Sequence, residues 1–230
     1  MFKNNPTCNC DQCDLKELFS GNVTDNVLQE VCNMKYERSF KKGEIIINEG
    51  TDIKEFIYLK SGLVKLYRKG LYAEEIICFA RPLDFVSLLS IFSEKKYNYS
   101  VSALEDSVTC NLDFIKVKEY AQKNGGFALS LMEKMSRASD KIILTTLEIR
   151  QRRLYGRVAY FLLFFSNEVY KAKSFELPIS RKEIADFFGM TAENIIRTLS
   201  EFRKDGIIKL SGKSIEIINE DKLKVISSKN

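Results

Sequence analysis

Three cysteines near the start of the chain are the first residues whose type and spacing point to chemistry. They are Cys8, Cys10 and Cys13 of the stretch CNCDQC. Thiolates are ligands for zinc and for iron–sulfur clusters, and a C-x-x-C pair such as Cys10 and Cys13 can also close a disulfide. A third interpretation gives the three reduced thiols no shared role. The stretch is too polar to be core, so all three alternatives stand at this point.

A second set of candidate residues lies near the C-terminus, in the stretch TAENIIRTLSEF. Its apolar residues Ile195, Leu199 and Phe202 recur at helical spacing, which leaves Glu193 and Arg197 on the outer face. Arginine donates two hydrogen bonds to guanine O6 and N7, and glutamate accepts one from cytosine N4. In the simpler alternative these two charges, four residues apart, only form a helix-surface ion pair. The neighbouring elements decide between the two.

Those neighbours predict a winged helix-turn-helix. Ser180 and Glu183 have the spacing of a capping box, and Gly189 ends the short helix that they begin. Thr191 caps a second helix, and the following GIIKLSGKSIEII predicts a two-stranded ribbon, the wing. In this motif the second helix enters the major groove of double-stranded DNA by its N-terminal end. We therefore predict base contacts from Glu193, Arg197 and Asn194, and DNA backbone contacts from Ser180, Arg181, Lys182, Thr191 and Lys213.

Composition supports an anionic partner. The net charge is −1 over residues 1–149 and +6 over residues 150–230, so the basic C-terminal third is suited to a polyanion. The chain contains no histidine, which excludes histidine-based acid–base catalysis and histidine-ligated haem. No nucleophile–base set or phosphate-binding loop is visible, so we predict that the protein is not an enzyme. The first residues lack the features of a signal peptide, which predicts a cytoplasmic protein without a membrane partner.

The middle of the chain predicts a small β-roll, or jelly roll, followed by a long helix. Segments such as GEIIINEG and EFIYLKSGLVKLYRKG are rich in Ile, Val and Tyr and are punctuated by glycine, which is typical of short antiparallel strands. The expected fold is α+β, with a cysteine-containing segment over 1–22, an effector-sensing roll over 23–124, a dimerisation helix over 125–150 and the winged domain over 151–230.

The long helix carries an apolar seam. Apolar or small residues recur along it with alternating gaps of four and three, the a/d spacing of helices that pair side by side. A seam of this length favours pairing with a second copy of the chain, so we predict a homodimer. The residues of this predicted seam are Leu131, Met135, Ala138, Ile142, Thr145 and Ile149.

This succession of roll, long helix and winged motif resembles the CRP/FNR family, the bacterial cyclic-AMP receptor protein and its oxygen-sensing relatives. The resemblance rests on KKGEIIINEG, IYLKSGLVKLY and ISRKEIADFFGMTAENIIRTLSEFRKDGIIKLSGKSIEI. It implies a cyclic-nucleotide-binding-like roll and a dimeric transcription regulator on an inverted-repeat operator, with RNA polymerase as a partner if the protein is an activator. It also implies that Glu193 and Arg197 read a cytosine and a guanine in each half-site. The cyclic-AMP receptor branch often has a base-reading arginine at the position of Ala192, so its absence implies a half-site closer to that of the oxygen-sensing branch. That branch commonly has serine where this chain has Ile196.

The resemblance also bears on the effector. The family's cyclic-nucleotide pocket uses a Gly-Glu pair for the ribose and an Arg-Ser or Arg-Thr pair for the phosphate. At the matching positions this chain has Ser87 and Leu88, and Tyr97 and Asn98. Without the carboxylate and the guanidinium, a buried cyclic phosphate would lack its charge partner. We therefore expect no response to cyclic AMP.

The oxygen-sensing branch holds a [4Fe–4S] cluster instead, with N-terminal cysteines and one cysteine from the roll. Cys110 stands at what looks like that roll position, so the resemblance implies Cys8, Cys10, Cys13 and Cys110 as metal ligands. The family's sensor has a further cysteine where this chain has Phe19, so Cys8 would have to replace it. The alternatives are a thiol switch between Cys10 and Cys13, thiols without a shared function, and an unknown small-molecule effector with no metal cluster.

Overall fold

The computed structural model describes residues 25–71 and 74–228, which divide into two compact units. The first unit ends at Lys141, the segment Gly70–Glu75 excepted, and the second begins at Ile142. The first unit contains the roll and the second contains the winged motif. The predicted α+β fold is confirmed, while the exact domain boundaries drawn from the sequence stay predictions.

The roll consists of two sheets. One has three strands in the order β1-β7-β3, and the other has four in the order β2-β6-β4-β5. The β1–β7, β3–β7, β2–β6 and β4–β6 pairs are antiparallel. The strands are β1 (Tyr36–Phe40), β2 (Ile45–Ile47), β3 (Glu55–Ser61), β4 (Val64–Lys69), β5 (Glu74–Ala80), β6 (Ser100–Ala103) and β7 (Ser107–Asp113).

Strand β3 shows why the roll has two cores. Successive residues of a strand point to opposite faces, so a strand buried on both faces must be apolar throughout. Phe56 and Tyr58 belong to a core shared with the helices of this unit, which we call the outer core. Ile57 and Leu59 belong to a second core, the inner core, which also contains residues of β4 and β6. The apolar run FIYL of β3 thus contributes to both.

Three helices accompany the roll: α1 (Asp25–Asn33), α2 (Phe114–Lys123) and α3 (Gly125–Gln151). Asp113 caps α2 by accepting a hydrogen bond from the backbone N–H of Lys116. Val31, Val117 and Leu131 bring one residue of each helix into the outer core. Among the residues that the structure covers, no helix is both long enough and apolar enough to cross a lipid bilayer.

The turn between β3 and β4 depends on Gly62. Its φ of 92° lies in the left-handed region that side chains disfavour. A Cβ atom there would lie 2.3 Å from Ser107 Oγ and 2.7 Å from the carbonyl oxygen of Asp106. Both the backbone conformation and the available space therefore require glycine.

The first half of the predicted seam of α3 packs against the outer core. Leu131 is 2% exposed in the outer core, and Met135 and Ala138 pack against the same core. Ile149 is also buried, while Ile142 and Thr145 are half-buried. The exposed large apolar residues of α3 lie on a different stripe, which we call the exposed stripe: Leu129, Met132, Ile143, Leu144 and Leu147.

The second unit is a winged helix-turn-helix with additional elements. Helix α4 packs against α6 and α7. The wing is a three-stranded sheet of order β8-β10-β9 rather than the predicted two-stranded ribbon, because Phe175 of β8 pairs with Ile215 of β10. The elements are α4 (Leu154–Leu163), a π-helical turn (Phe164–Val169), β8 (Ser174–Glu176), α5 (Arg181–Phe188), α6 (Ala192–Lys204), β9 (Ile208–Ser211), β10 (Ser214–Ile217) and α7 (Glu220–Ser228).

Candidate nucleic-acid interface and sensor residues

Local hydrogen bonds set the turn between α5 and α6. The Ser180 hydroxyl accepts from the Glu183 backbone N–H at 3.1 Å, and the Glu183 carboxylate accepts from the Ser180 N–H at 2.9 Å, which confirms the predicted capping box. Gly189 ends α5 with a φ of 64°. At the same end, Arg157 Nη1 donates to the carbonyl oxygen of Phe188 at 2.9 Å, satisfying a helix carbonyl. Both ends of α5 are therefore closed by specific contacts.

Helix α6 separates an inner from an outer face as predicted. Ile195, Leu199 and Phe202 are at most 2% exposed, so they anchor the helix in the core of the unit. Glu193 and Arg197 are exposed near its N-terminal end. The sequence pattern therefore predicted correctly which face of this helix is buried and which is exposed.

Hydrogen bonds link the polar residues at the start of α6 to one another. Thr191 caps the helix, accepting from the Asn194 N–H at 3.3 Å. Asn194 Oδ1 in turn accepts from Arg197 Nη2 at 3.2 Å. No ion pair joins Glu193 to Arg197 in the described part of α6, so the helix-surface pair of the simpler alternative does not form here. Because a guanidinium has five donors, its bond to Asn194 leaves enough for a bidentate contact with guanine.

Glu193 is kept in its ionised form. Hydrogen bonds from its own backbone N–H and from the Thr191 hydroxyl hold the pKa of the Glu193 carboxyl below its usual value. An ionised carboxylate is an acceptor only. It therefore suits the amino group of cytosine, which is a donor.

The residues predicted to meet the DNA backbone differ in their surroundings. Lys182 and Lys213 are exposed cations. The Arg181 guanidinium donates to the carbonyl oxygen of Gly212 in the wing turn, a contact that the sequence did not indicate. Ser180 uses its hydroxyl in the capping box, where it also donates to Glu183. Only the two lysines therefore present charge that is not engaged in the local hydrogen bonds described above.

The four cysteines predicted as metal ligands fall in two places. Cys8, Cys10 and Cys13 lie outside the described residues, whereas Cys110 lies in β7 with Glu37 and Tyr58 as its cross-strand neighbours. Within 25–71 and 74–228, no three Cys, Asp or Glu side chains come together so as to hold a metal ion. A cluster at Cys110 would therefore need its other ligands from elsewhere in the chain.

Cys110 offers a thiol, a suitable ligand for a metal cluster, in the core that also contains helix α1. Its thiol is fully buried in the outer core, where α1 contributes Cys32. Helix α1 begins just after the N-terminal segment that carries the other three thiols. Burial raises the pKa of the Cys110 thiol to about 11, so the thiol is protonated at neutral pH and a metal ion would have to displace that proton. The thiol donates a hydrogen bond to the Glu37 carboxylate, with 3.8 Å between Sγ and Oε1.

The positions that match the cyclic-nucleotide pocket are occupied by the roll's own side chains. Ser87 is fully buried and accepts from the Ile57 N–H at 2.8 Å. Leu88 belongs to the outer core. Tyr97 is 5% exposed, and its hydroxyl donates to the carbonyl oxygen of Glu55 at 2.9 Å. These contacts leave neither a carboxylate nor a guanidinium at the matched positions.

A second tyrosine strengthens this packing, and sequence reasoning missed it. Tyr99 is 2% exposed, and its hydroxyl donates to the carbonyl oxygen of Val86 at 2.9 Å. The rings of Tyr97 and Tyr99 are 6.0 Å apart in an edge-to-face arrangement within the inner core. The available signal was the pair of tyrosines on either side of Asn98, which lie at the bend just before β6.

Comparisons with known proteins agree with this architecture. The sequence model of the cyclic nucleotide-binding domain matches residues 37–124, and that of the Crp-like helix-turn-helix domain matches residues 156–226. The transcriptional activator protein anr of Pseudomonas aeruginosa is 28% identical, over 95% of this chain and 92% of that protein. The fumarate and nitrate reduction regulatory protein of Salmonella typhimurium is 25% identical, over 95% of this chain and 90% of its own length.

A solved structure shows the same fold. FixK2 from Bradyrhizobium japonicum superposes with a TM-score of 0.74 at 23% identity, covering 85% of this chain and 98% of that one. The two curated relatives are transcription regulators rather than enzymes, as the sequence predicted for this chain. A roll and a Crp-like helix-turn-helix, each matched by its own domain model, together with these relatives make the chain a member of the CRP/FNR family of transcription regulators.

Proposed function

We propose that the protein binds an inverted-repeat operator as a homodimer and regulates transcription in response to a signal at its roll domain. The observation that carries this proposal is the outer face of α6. There Glu193, ionised, and Arg197, held by Asn194, stand exposed on a helix whose other face is fully packed. Such side chains discriminate base pairs, and they contribute no packing to the fold. If the protein is an activator, RNA polymerase is its further partner.

The experiment that tests DNA recognition is selection of binding sites from a pool of randomised duplexes. We expect an inverted repeat whose half-sites contain a G·C pair and have centres about 34 Å apart, one turn of DNA. The affinity for that sequence should fall steeply with salt, because phosphate contacts release counterions. Retention of the pool without any enriched sequence would contradict specific binding.

The exposed stripe of α3 supports the homodimer. Its five apolar residues, Leu129, Met132, Ile143, Leu144 and Leu147, are 47% to 59% exposed, although the same helix buries Leu131 almost completely. Leu129, Met132, Ile143 and Leu147 follow one another at intervals of three, eleven and four residues, so they form one strip along the helix, and Leu144 borders it. An apolar strip of this kind is the surface that a second copy of α3 would cover.

We further propose that the signal reaches the roll through an iron–sulfur cluster bound by Cys8, Cys10, Cys13 and Cys110. Support comes from the position of Cys110, whose thiol lies in a core shared with α1. When bound, such a cluster supplies sensitivity to oxygen and redox state. Cys110 would provide a thiolate within the roll, so that loss of the cluster changes the packing around β7 and α1.

Anaerobic purification tests the cluster. We expect a brown protein with about four irons and four sulfides per chain and broad visible absorption that bleaches in air. The variants Cys110→Ser and Cys10→Ser should lose most of the iron, since serine does not replace a thiolate on iron. The matched control is Cys78→Ser in β5, a strand residue of the roll that packs against the inner core and should leave the iron content unchanged. A colourless, iron-free anaerobic protein would contradict the proposal.

The alternative is a small-molecule effector without a metal cluster. An open pocket of about 280 Å³, lined in part by residues of the inner core, favours it. The pocket has apolar walls from Ile47, Ile57 and Tyr97 and charged groups from Asp52, Lys54 and Glu55. It is close to the smallest pockets that hold drug-sized ligands, so the ligand would be small. An iron-free protein with high operator affinity only in the presence of a cell extract's low-mass fraction would favour this alternative.

A further inference from the structure

We propose that Ile196 is a specificity-determining residue that contacts the C5-methyl group of a thymine in each operator half-site. The inference rests on the proposed binding of an operator by α6. It assigns a third base-contacting side chain beside Glu193 and Arg197, and it makes a definite statement about chemistry. One base pair of the half-site is recognised through a methyl group rather than through a hydrogen bond.

The first observation is that Ile196 is an apolar residue on the solvent-exposed face of α6, where it adds little to the core. Its side chain is 52% exposed, while the preceding Ile195 is fully buried. Burial of apolar area is what stabilises a fold, so a half-exposed isoleucine contributes little. Isoleucine is also a weaker helix former than the polar residues that usually occupy an outer helix face. The fold therefore gives no reason for isoleucine at this position.

The second observation is the position of Ile196 among the base-contacting residues. It follows Glu193 by three residues, almost one helical turn, and directly precedes Arg197. All three are exposed, and all belong to the N-terminal half of α6, the part that enters the major groove in this motif. Ile196 therefore faces base edges whenever the other two do.

The chemistry of the major groove then selects the partner. Guanine, adenine and cytosine present donors and acceptors there, whereas thymine alone presents a methyl group. An isoleucine placed against a donor or an acceptor would bury it without a partner, which is unfavourable. Placed against a thymine methyl, it buries apolar surface on both sides. Ile196 therefore favours thymine over cytosine at a base pair next to those that Glu193 and Arg197 contact.

Deoxyuridine substitution tests this contact directly, because it removes the C5-methyl of thymine and leaves Watson–Crick pairing intact. Each thymine of the selected operator is replaced in turn, symmetrically in both half-sites, and the dissociation constant is measured. One methyl contact is worth about fourfold in affinity, so we expect about a 15-fold loss at one symmetric position. The remaining positions should show little change.

The variants Ile196→Ser and Ile196→Val complete the test. The serine variant should bind the thymine and deoxyuridine operators equally, whereas the valine variant should keep most of the difference. Since the side chain is exposed, the melting temperature of both variants should stay within about 2 °C of the parent protein.

The possible failures can be told apart. A protein that binds the selected operator but shows the same thymine preference with serine at position 196 overturns the role of Ile196. So does a parent protein that is insensitive to deoxyuridine at every position. A protein that selects no operator at all overturns the proposed function instead.

Discussion

The variant Arg197→Ala should lose at least about 30-fold in operator affinity, while its affinity for unrelated duplexes should hardly change. A bidentate arginine–guanine contact is worth about 1–3 kcal/mol, and a symmetric operator contains it twice. The loss is specific because Arg197 is exposed at the end of α6 that enters the groove, so its removal leaves no cavity in the fold. Gel-shift titration against the selected operator and a scrambled duplex measures both affinities.

Two further variants test the proposed role of Arg197 in base recognition. Arg203→Ala changes an exposed arginine in the last turn of the same helix, away from the bases, and should weaken operator and scrambled duplex alike. Asn194→Ala should weaken operator binding less than Arg197→Ala does, and adding it to Arg197→Ala should cost little more, because Asn194 bonds to Arg197. Full retention of sequence preference by Arg197→Ala would refute its assignment to a base.

The double variant Ile143→Glu with Leu147→Glu should convert the proposed dimer into a monomer of 26.5 kDa. The two positions are four residues apart on the exposed stripe, so both carboxylates would enter the same interface. Burying two unpaired carboxylates costs several kcal/mol, enough to weaken association by more than about 100-fold. Sedimentation velocity gives the mass, and operator affinity should fall with it because a monomer can occupy one half-site at a time.

Control variants separate the two apolar faces of α3. Lys134→Glu makes a similar change in charge on the opposite side of the helix, half a turn from Ile143, and should leave the dimer intact. Leu131→Ala lies in the outer core, so it should lower the free energy of unfolding by about 2–5 kcal/mol without changing the mass of the folded protein. A dimer that survives the two glutamates would show that the exposed stripe is not the interface.

The helix-turn-helix was predictable because its signals are local. The capping box of Ser180 and Glu183 and the left-handed Gly189 specify where α5 begins and ends within a few residues of sequence. Ile195, Leu199 and Phe202 specify which face of α6 is buried. Each of these features can be recognised without knowing what the rest of the chain does.

The faces of α3 were not predictable in the same way. Two stripes of this helix are apolar, one through Leu131 and Met135 and the other through Met132 and Ile143. Periodicity identifies both, but only the position of the outer core decides that the first is covered by the chain itself. The choice depends on contacts between residues far apart in sequence, which a helical pattern does not contain.

The interior of the roll was missed for a related reason. Matching positions to a nucleotide pocket showed that the carboxylate is absent at Leu88 and the guanidinium at Tyr97, but it did not show what fills the space. Tyr97 and Tyr99 do so with their rings, and each hydroxyl finds a backbone carbonyl. Strand β8 was overlooked because Phe175 pairs with a partner that lies some forty residues further along the chain.

Two glycines with the same sign of φ differ in the mutations that they can accept. Gly189, at 64°, has no atom within 4 Å of the position where a Cβ would stand, so asparagine can replace it at a modest cost. Gly62 has the same need for a left-handed backbone, but the space above it is taken by Ser107 and Asp106. Any side chain at Gly62 would therefore collide with the start of β7, the strand that carries Cys110. Substitution can reshape the turn between α5 and α6, whereas the β3–β4 turn accepts only glycine.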